Sequence, residues 1–289
     1  MASKSEARER LLGIILVILS ASIFACVDGF SKLLADTNAV AQIVWARYAL
    51  ALPILLLTTP PAQLSTLVRT RQPALQILRG LAPVGVSIAM VFGVRYLPLA
   101  EATVILFAAP FLVAALSVPL LGEQVHASTW IAIAVGFLAV LIVARPGFSE
   151  LSVFSLFPLV GAVFYAALQL ITRRIAATGE RAETTLAWTL LTGIVVSTPF
   201  VIYFWQPLDV RGWLLMLGIG GTFGVAQLMM IRGFAHAPAA LLAPLSYVQI
   251  VSATIFGVIV FHDVPDAWTL LGIVMIIGSG IYIVRRRTD

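Results

Sequence analysis

Gly93-Val94-Arg95-Tyr96-Leu97-Pro98-Leu99-Ala100 and Gly233-Phe234-Ala235-His236-Ala237-Pro238-Ala239-Ala240 are the two stretches that decide how the chain is read. Each sets a glycine five residues before a proline in otherwise apolar sequence, and the two prolines lie 140 residues apart. The same offset, held without a gap, pairs Gly80 with Gly220, Met90 with Met230, Glu123 with Asp263, Ala127 with Ala267, Thr129 with Thr269 and Arg145 with Arg285. Single identities between apolar segments arise by chance, whereas a gapless series that includes glycines and prolines does not arise easily. The chain therefore reads as two repeated halves, 1–146 and 147–289.

Outward from these turns run apolar stretches of the length that crosses a hydrocarbon core of about 30 Å. Ten are expected: Leu11–Leu34, Ala39–Thr58, Ala74–Leu97, Leu99–Leu121, Ser128–Ala144, Leu151–Ile175, Thr184–Trp205, Gly212–Ala235, Ala239–Phe261 and Trp268–Val284. Backbone groups in lipid must be satisfied internally, and continuous apolar runs mean helices rather than alternating barrel strands. The fold class is thus all-α and integral to the membrane, with ten transmembrane helices in two five-helix repeats. Five is odd, so equivalent helices cross in opposite senses and the repeats are inverted.

Composition points the same way. The 289 residues are 61% hydrophobic and 11% charged, with mean hydropathy +1.04, against about 45–50% and about 25% in soluble domains. No soluble fold of this size hides so much apolar surface, and little sequence is left for a soluble catalytic domain. The net charge of +5 comes from basic residues in short loops and termini, the placement expected beside membrane lipids, so nucleic acid is not an expected partner. The single cysteine, Cys26, lies in the first apolar run, so no intramolecular disulfide can form. That run is too long for a signal-peptide core and reads as an uncleaved helix.

Lys and Arg set the orientation. With the N-terminus inside, Lys4, Arg8, Arg10, Arg69, Arg71, Arg79, Arg173, Arg174, Arg181, Arg232 and Arg285 to Arg287 fall on the inner side, and Lys32, Arg95, Arg145 and Arg211 on the outer side. This bias predicts cytoplasmic termini in an inner (plasma) membrane. Inverted halves can exchange conformations around a site near the midplane, which points to a transporter of a small-molecule solute. No metalloprotease, hydrolase, Walker or Cys-x-x-Cys motif is present, and His126, His236 and His262 form no ligand cluster; no catalytic residue, metal or cofactor is expected. A membrane enzyme acting on lipid-linked substrates is the alternative from another class.

Arg47-Tyr48, the run Arg95-Tyr96-Leu97-Pro98-Leu99-Ala100-Glu101-Ala102, Pro110 and Leu121-Gly122-Glu123 resemble the drug/metabolite transporter superfamily, in its EamA type. In the second half the pattern is degraded, with Phe261-His262-Asp263 in place of Leu-Gly-Glu. Within that family the chain is most similar to bacterial amino-acid and metabolite exporters, including the YddG-type aromatic amino-acid exporters. The resemblance implies export of amino acids or similar metabolites by alternating access, with import by the same fold as the nearest rival. It leaves open a monomer or a homodimer.

Charges and amides inside the spans are the candidate functional groups. Asp28 and Lys32, four apart on one face, are placed to pair, unless Lys32 snorkels or Asp28 serves substrate or proton. Arg47 lies deeper; the resemblance implies packing or gating there. Phe107 and Tyr247 share the 140-residue offset, and each lies nine residues past its turn proline, about 13 Å along a helix and near the midplane. They are expected to line a solute cavity, with core packing as the alternative. Ser87 and its counterpart Gln227, Tyr165, Gln169, Trp45 and Trp188 complete the expected substrate-binding set. The fifth and tenth spans, poor in polar residues, are expected at the periphery. Cysteines placed near Asp209 or His262 should react with an impermeant reagent added from the periplasm, and those near Gln72 or Gly179 should not; reversed labelling would overturn the orientation.

Overall fold

A computed structural model describes residues 4–109, 111–113, 116, 127–144, 151–176, 178–236 and 243–288. All regular structure among them is helical. Pro110, Leu121-Gly122-Glu123, His126, Arg145 and Ala237-Pro238-Ala239-Ala240, all used above, lie outside the described residues.

Helix α1 runs Lys4–Ala35, followed by α2 (Val40–Ala49), α3 (Leu52–Thr58) and the single turn α4 (Pro61–Leu64). Next come α5 (Pro73–Tyr96), α6 (Leu99–Leu106), α7 (Ala127–Ala144) and the turn α8 (Leu151–Phe154). The remainder is α9 (Leu156–Ala176), α10 (Ala182–Tyr203), α11 (Val210–His236), α12 (Val248–Phe256) and α13 (Ala267–Thr288). Ala243–Tyr247 forms a 3-10 turn leading into α12, and Gly257–Phe261 a π turn leaving it. Among the described residues, five segments are long and apolar enough to cross a membrane: Leu11–Ala35, Val40–Thr58, Pro73–Tyr96, Ala182–Tyr203 and Val210–Gly233. Shorter apolar helical stretches include Leu156–Thr172, Leu245–Phe261 and Ala267–Ser279.

Four expected spans are interrupted among the described residues, the sixth only at Ser155 between α8 and α9. The second is broken between α2 and α3, because Pro53 in the first turn of α3 has no N–H to continue the ladder. The fourth leaves helical geometry at Phe107, with φ −75° and ψ 11°. The ninth is a 3-10 turn, an α-helix and a π turn in succession.

Two apolar cores hold the bundle. One gathers α6, α7, α9, α12 and α13 around Phe107, Phe111 and Ile250; the other gathers α1, α2, α5, α10 and α11 around Tyr48, Leu190 and Ile219. The most extensive packing joins α1 to α11 and α5 to α9, followed by α7 to α13 and α1 to α12. Large apolar side chains stand outward, such as Leu57 at 86% and Ile202 at 73% exposed. In lipid this is the solvated face rather than a liability. Helices α7 and α13, which cover the expected fifth and tenth spans, pack on each other and present Ile131, Leu138 and Val274 outward.

Glycine decides one helix contact. A Cβ on Gly220 of α11 would lie 2.4 Å from Leu50 Cβ and 2.7 Å from Ala46 O; one on Gly221 would meet only Ile54 Cδ1, at 3.9 Å. Small residues let backbones approach this closely in membranes. Gly220→Ala should lower stability by about 1–3 kcal/mol, and Gly221→Ala by less than about 0.5 kcal/mol. Thermal unfolding of the detergent-purified variants checks the contrast.

Candidate functional site

The expected site residues separate into two clusters and several outliers. The first cluster is aromatic. Phe107, at the end of α6, is fully buried, and Tyr247, entering α12, is 5% exposed. Their ring centroids lie 5.5 Å apart at 50°. Tyr165 of α9 meets Phe107 edge-on at 6.3 Å and 71°. Gln169 lies one turn further along α9. Both rings of the 140-residue pair thus stand where a helix is interrupted: the chain leaves α-geometry after Leu106 and regains it after Tyr247.

The second cluster is ionic. Asp28 does not pair with Lys32, one turn away on its own helix. Its Oδ1 accepts from Arg47 Nη2 at 3.0 Å, with both side chains almost wholly buried. The long guanidinium reaches from α2 into the interior, whereas Lys32 points toward the end of the bundle. Asp28 Oδ2 accepts from Gln249 Nε2 of α12 at 3.3 Å. Arg47 Nη2 also donates to Ser31 Oγ at 2.9 Å, and Nη1 reaches Ser87 Oγ of α5 at 3.5 Å. Ser87 and the fully buried Tyr48 share a hydrogen bond of 3.0 Å. Arg47 Nε has no partner among the described residues. The carboxylate is paired and further hydrogen-bonded, the condition under which a buried ion pair can persist.

Lys32 instead donates to Asp263 Oδ2 at 2.6 Å and to Leu97 O at 3.3 Å, and lies over the Phe261 ring at 4.7 Å. The backbone places Asp263 there: His262 adopts φ 58°, a left-handed conformation, and Asp263 N–H donates to Gly257 O. His262 is the 140-residue counterpart of Gly122, the residue type that takes this conformation without strain.

The others are dispersed. Gln227 is buried on α11, one turn past Phe223, whose ring meets Tyr48 edge-on at 5.2 Å. Trp45 is half-buried on α2. Trp188 lies toward the opposite end from Lys32, donating its indole N–H to Val68 O at 3.3 Å. Sequence reading did not name Ser31 or Gln249 as partners of the ion pair, nor Tyr48 as the partner of Ser87, because tertiary approach and not spacing brings them together.

Breaking a buried pair by removing one member strands the other charge. Asp28→Leu should therefore cost about 3–5 kcal/mol of stability, and the double variant Asp28→Leu/Arg47→Met should recover most of it. Denaturation in detergent measures the cycle; additive losses would mean that the two side chains do not act as a pair.

The EamA-like transporter family matches this chain twice, over residues 11–145 and 153–285. The pseudopaline exporter CntI of Pseudomonas aeruginosa (strain UCBPP-PA14) is 28% identical over 276 residues, covering 95% of this chain and 96% of that protein. The S-adenosylmethionine uptake transporter of Rickettsia bellii (strain RML369-C) is 26% identical over 216 residues, covering 75% of this chain and 74% of that one. A solved structure described as "Crystal structure of protein" shares the fold, with a TM-score of 0.65 at 21% identity over 98% of this chain and 99% of its own. The relatives are named for transport and not for catalysis. With family matches over both halves, apolar helices long enough to cross a membrane and no enzyme among the named relatives, the chain is a multi-pass membrane transporter and belongs to the EamA-like transporter family.

Proposed function

We propose that the chain is a secondary transporter of the inner membrane that exports amino acids or similar small zwitterionic metabolites by alternating access. The observation that carries this reading is the meeting of Phe107, Tyr247 and Tyr165 at two helix interruptions. Discontinuous helices near the midplane are where transporters of inverted-repeat architecture bind solute. Ring faces suit the apolar part of such a solute, and Gln169, one turn from Tyr165, and Gln249, two residues past Tyr247, supply polar groups on the same helices.

Ten spans in two inverted halves, with cytoplasmic termini, belong to the same reading. Exchange the halves, so that α1, α2, α5, α6 and α7 become α9, α10, α11, α12 and α13. The pair α1–α11 becomes α9–α5, α1–α12 becomes α9–α6, and α2–α11 becomes α10–α5; all of these packings occur. The pairs α2–α10, α6–α12 and α7–α13 map onto themselves. The contact between α1 and α5 has no counterpart of similar extent among the described residues. Such a departure from symmetry is expected of one state in an alternating pair. In this orientation Lys32 and Asp263 tie α1 to the segment after α12 on the outer side. Export is preferred because the exporter relative aligns over nearly the whole chain; the uptake relative, over three-quarters of it, favours import as the second reading.

Reconstituted in liposomes with and without a pH gradient, the protein should move labelled amino acids saturably and chemically intact. Phe107→Ala and Tyr247→Ala should each change relative solute preference by about tenfold while still inserting and purifying. Loss of stability with unchanged preference would return the rings to the core, and a panel in which no zwitterion moves would end the substrate reading.

A further inference from the structure

One buried cation stands apart from both clusters. Arg79 of α5 is 3% exposed. Its Nε donates to Thr172 Oγ1 of α9 at 2.8 Å, and its Nη1 to Thr189 Oγ1 of α10. Both hydroxyls already donate to their own helices, Thr172 to Leu168 O at 2.6 Å and Thr189 to Thr185 O at 2.8 Å. They therefore present lone pairs to the guanidinium, but no negative charge. Among the described residues no carboxylate forms an ion pair with Arg79. A full charge held this way in a membrane span is expensive unless an anion joins it.

The neighbouring residue on the same face is incomplete in the complementary sense. Gln76, one turn earlier on α5, is wholly buried and donates through Nε2 to Thr185 Oγ1 at 3.3 Å. Its Oε1 is buried with no partner among the described residues. A cation lacking an anion thus stands one turn from an acceptor lacking a donor, between the same helices. A pocket of about 520 Å³ includes Thr184, the sequence neighbour of Thr185. Arg69, Arg71 and Arg181 line it with Glu180, and Arg181 also pairs with Glu183 at 3.8 Å, an excess of positive charge that favours anions there.

We infer that Arg79 and Gln76 form a solute subsite, taking a carboxylate on the guanidinium and the neighbouring N–H donor on Gln76 Oε1. The subsite rests on the amino-acid reading above for its amine half, and on carboxylate chemistry alone for the rest.

The test is transport by the reconstituted protein of a matched panel: an amino acid, its carboxamide, its decarboxylated amine and a monocarboxylate lacking the amine. Wild type should prefer the acid over the carboxamide by about tenfold or more. Arg79→Gln should erase that preference, and Arg79→Lys, which keeps the charge without the planar fork, should weaken it. Gln76→Leu should reduce the preference for amino acid over monocarboxylate. Equal transport of acid and carboxamide by wild type overturns the subsite and leaves the exporter reading standing. Arg79-dependent transport of the monocarboxylate without the amino acid keeps the carboxylate half and ends the amino-acid reading. Variants that lose thermal stability with unchanged preference make Arg79 a tie between helices and overturn the proposal.

Discussion

In hydrocarbon a charge must be matched where it stands, and the interior of this bundle is organised by that requirement at Asp28 and Arg47. The carboxylate comes from α1, the guanidinium from α2, and the supporting groups from α5 and α12. One interaction thereby fixes the relation of four helices that apolar packing alone would hold less specifically, since lipid tails compete for every leucine. The apolar cores fill in on either side: Tyr48 serves the ionic cluster with its hydroxyl and the second core with its ring.

The aromatic cluster belongs to the other core and follows a different logic. Its rings contact one another across segments far apart in sequence, and each comes from a place where helix geometry lapses. An interrupted helix leaves backbone groups without ladder partners, tolerable in a membrane only where protein or a cavity surrounds them. Full burial of Phe107 satisfies that condition in the state described. The polar tie of Asp28 to Gln249 then links the helix that carries Tyr247 to the first helix of the chain.

Much of the helical architecture was legible in the sequence because lipid imposes length and hydropathy on anything that crosses it. The offset of 140 residues was legible because glycines and prolines stand out in an otherwise apolar sequence. What spacing misjudged was partnership. Asp28 and Lys32 obey the one-turn rule, yet each finds its charge elsewhere, since intrahelical pairs contribute little beside a buried bidding partner from another helix. Arg79 counted only as one more inner-side charge, because depth within a helix bundle is not written in a loop tally. Trp188 carries an indole N–H that needed an acceptor, and Val68 O at the bundle's rim supplied it. The interruptions at Phe107 and Tyr247 did leave a mark, a proline three residues away in each case, Pro110 after the one and Pro244 before the other, although a proline alone does not say whether a helix bends or stops.

The link between Lys32 and Asp263 differs from the interior pair in one respect that matters for the medium. Its side chains remain 17% and 32% exposed, against 4% and 7% for Arg47 and Asp28. Mobile ions reach the first pair and not the second, and at physiological ionic strength screening acts over about 8 Å. Dissolved salt on that face of the membrane therefore weakens the fastening of α1 to the segment after α12 while leaving the interior framework intact.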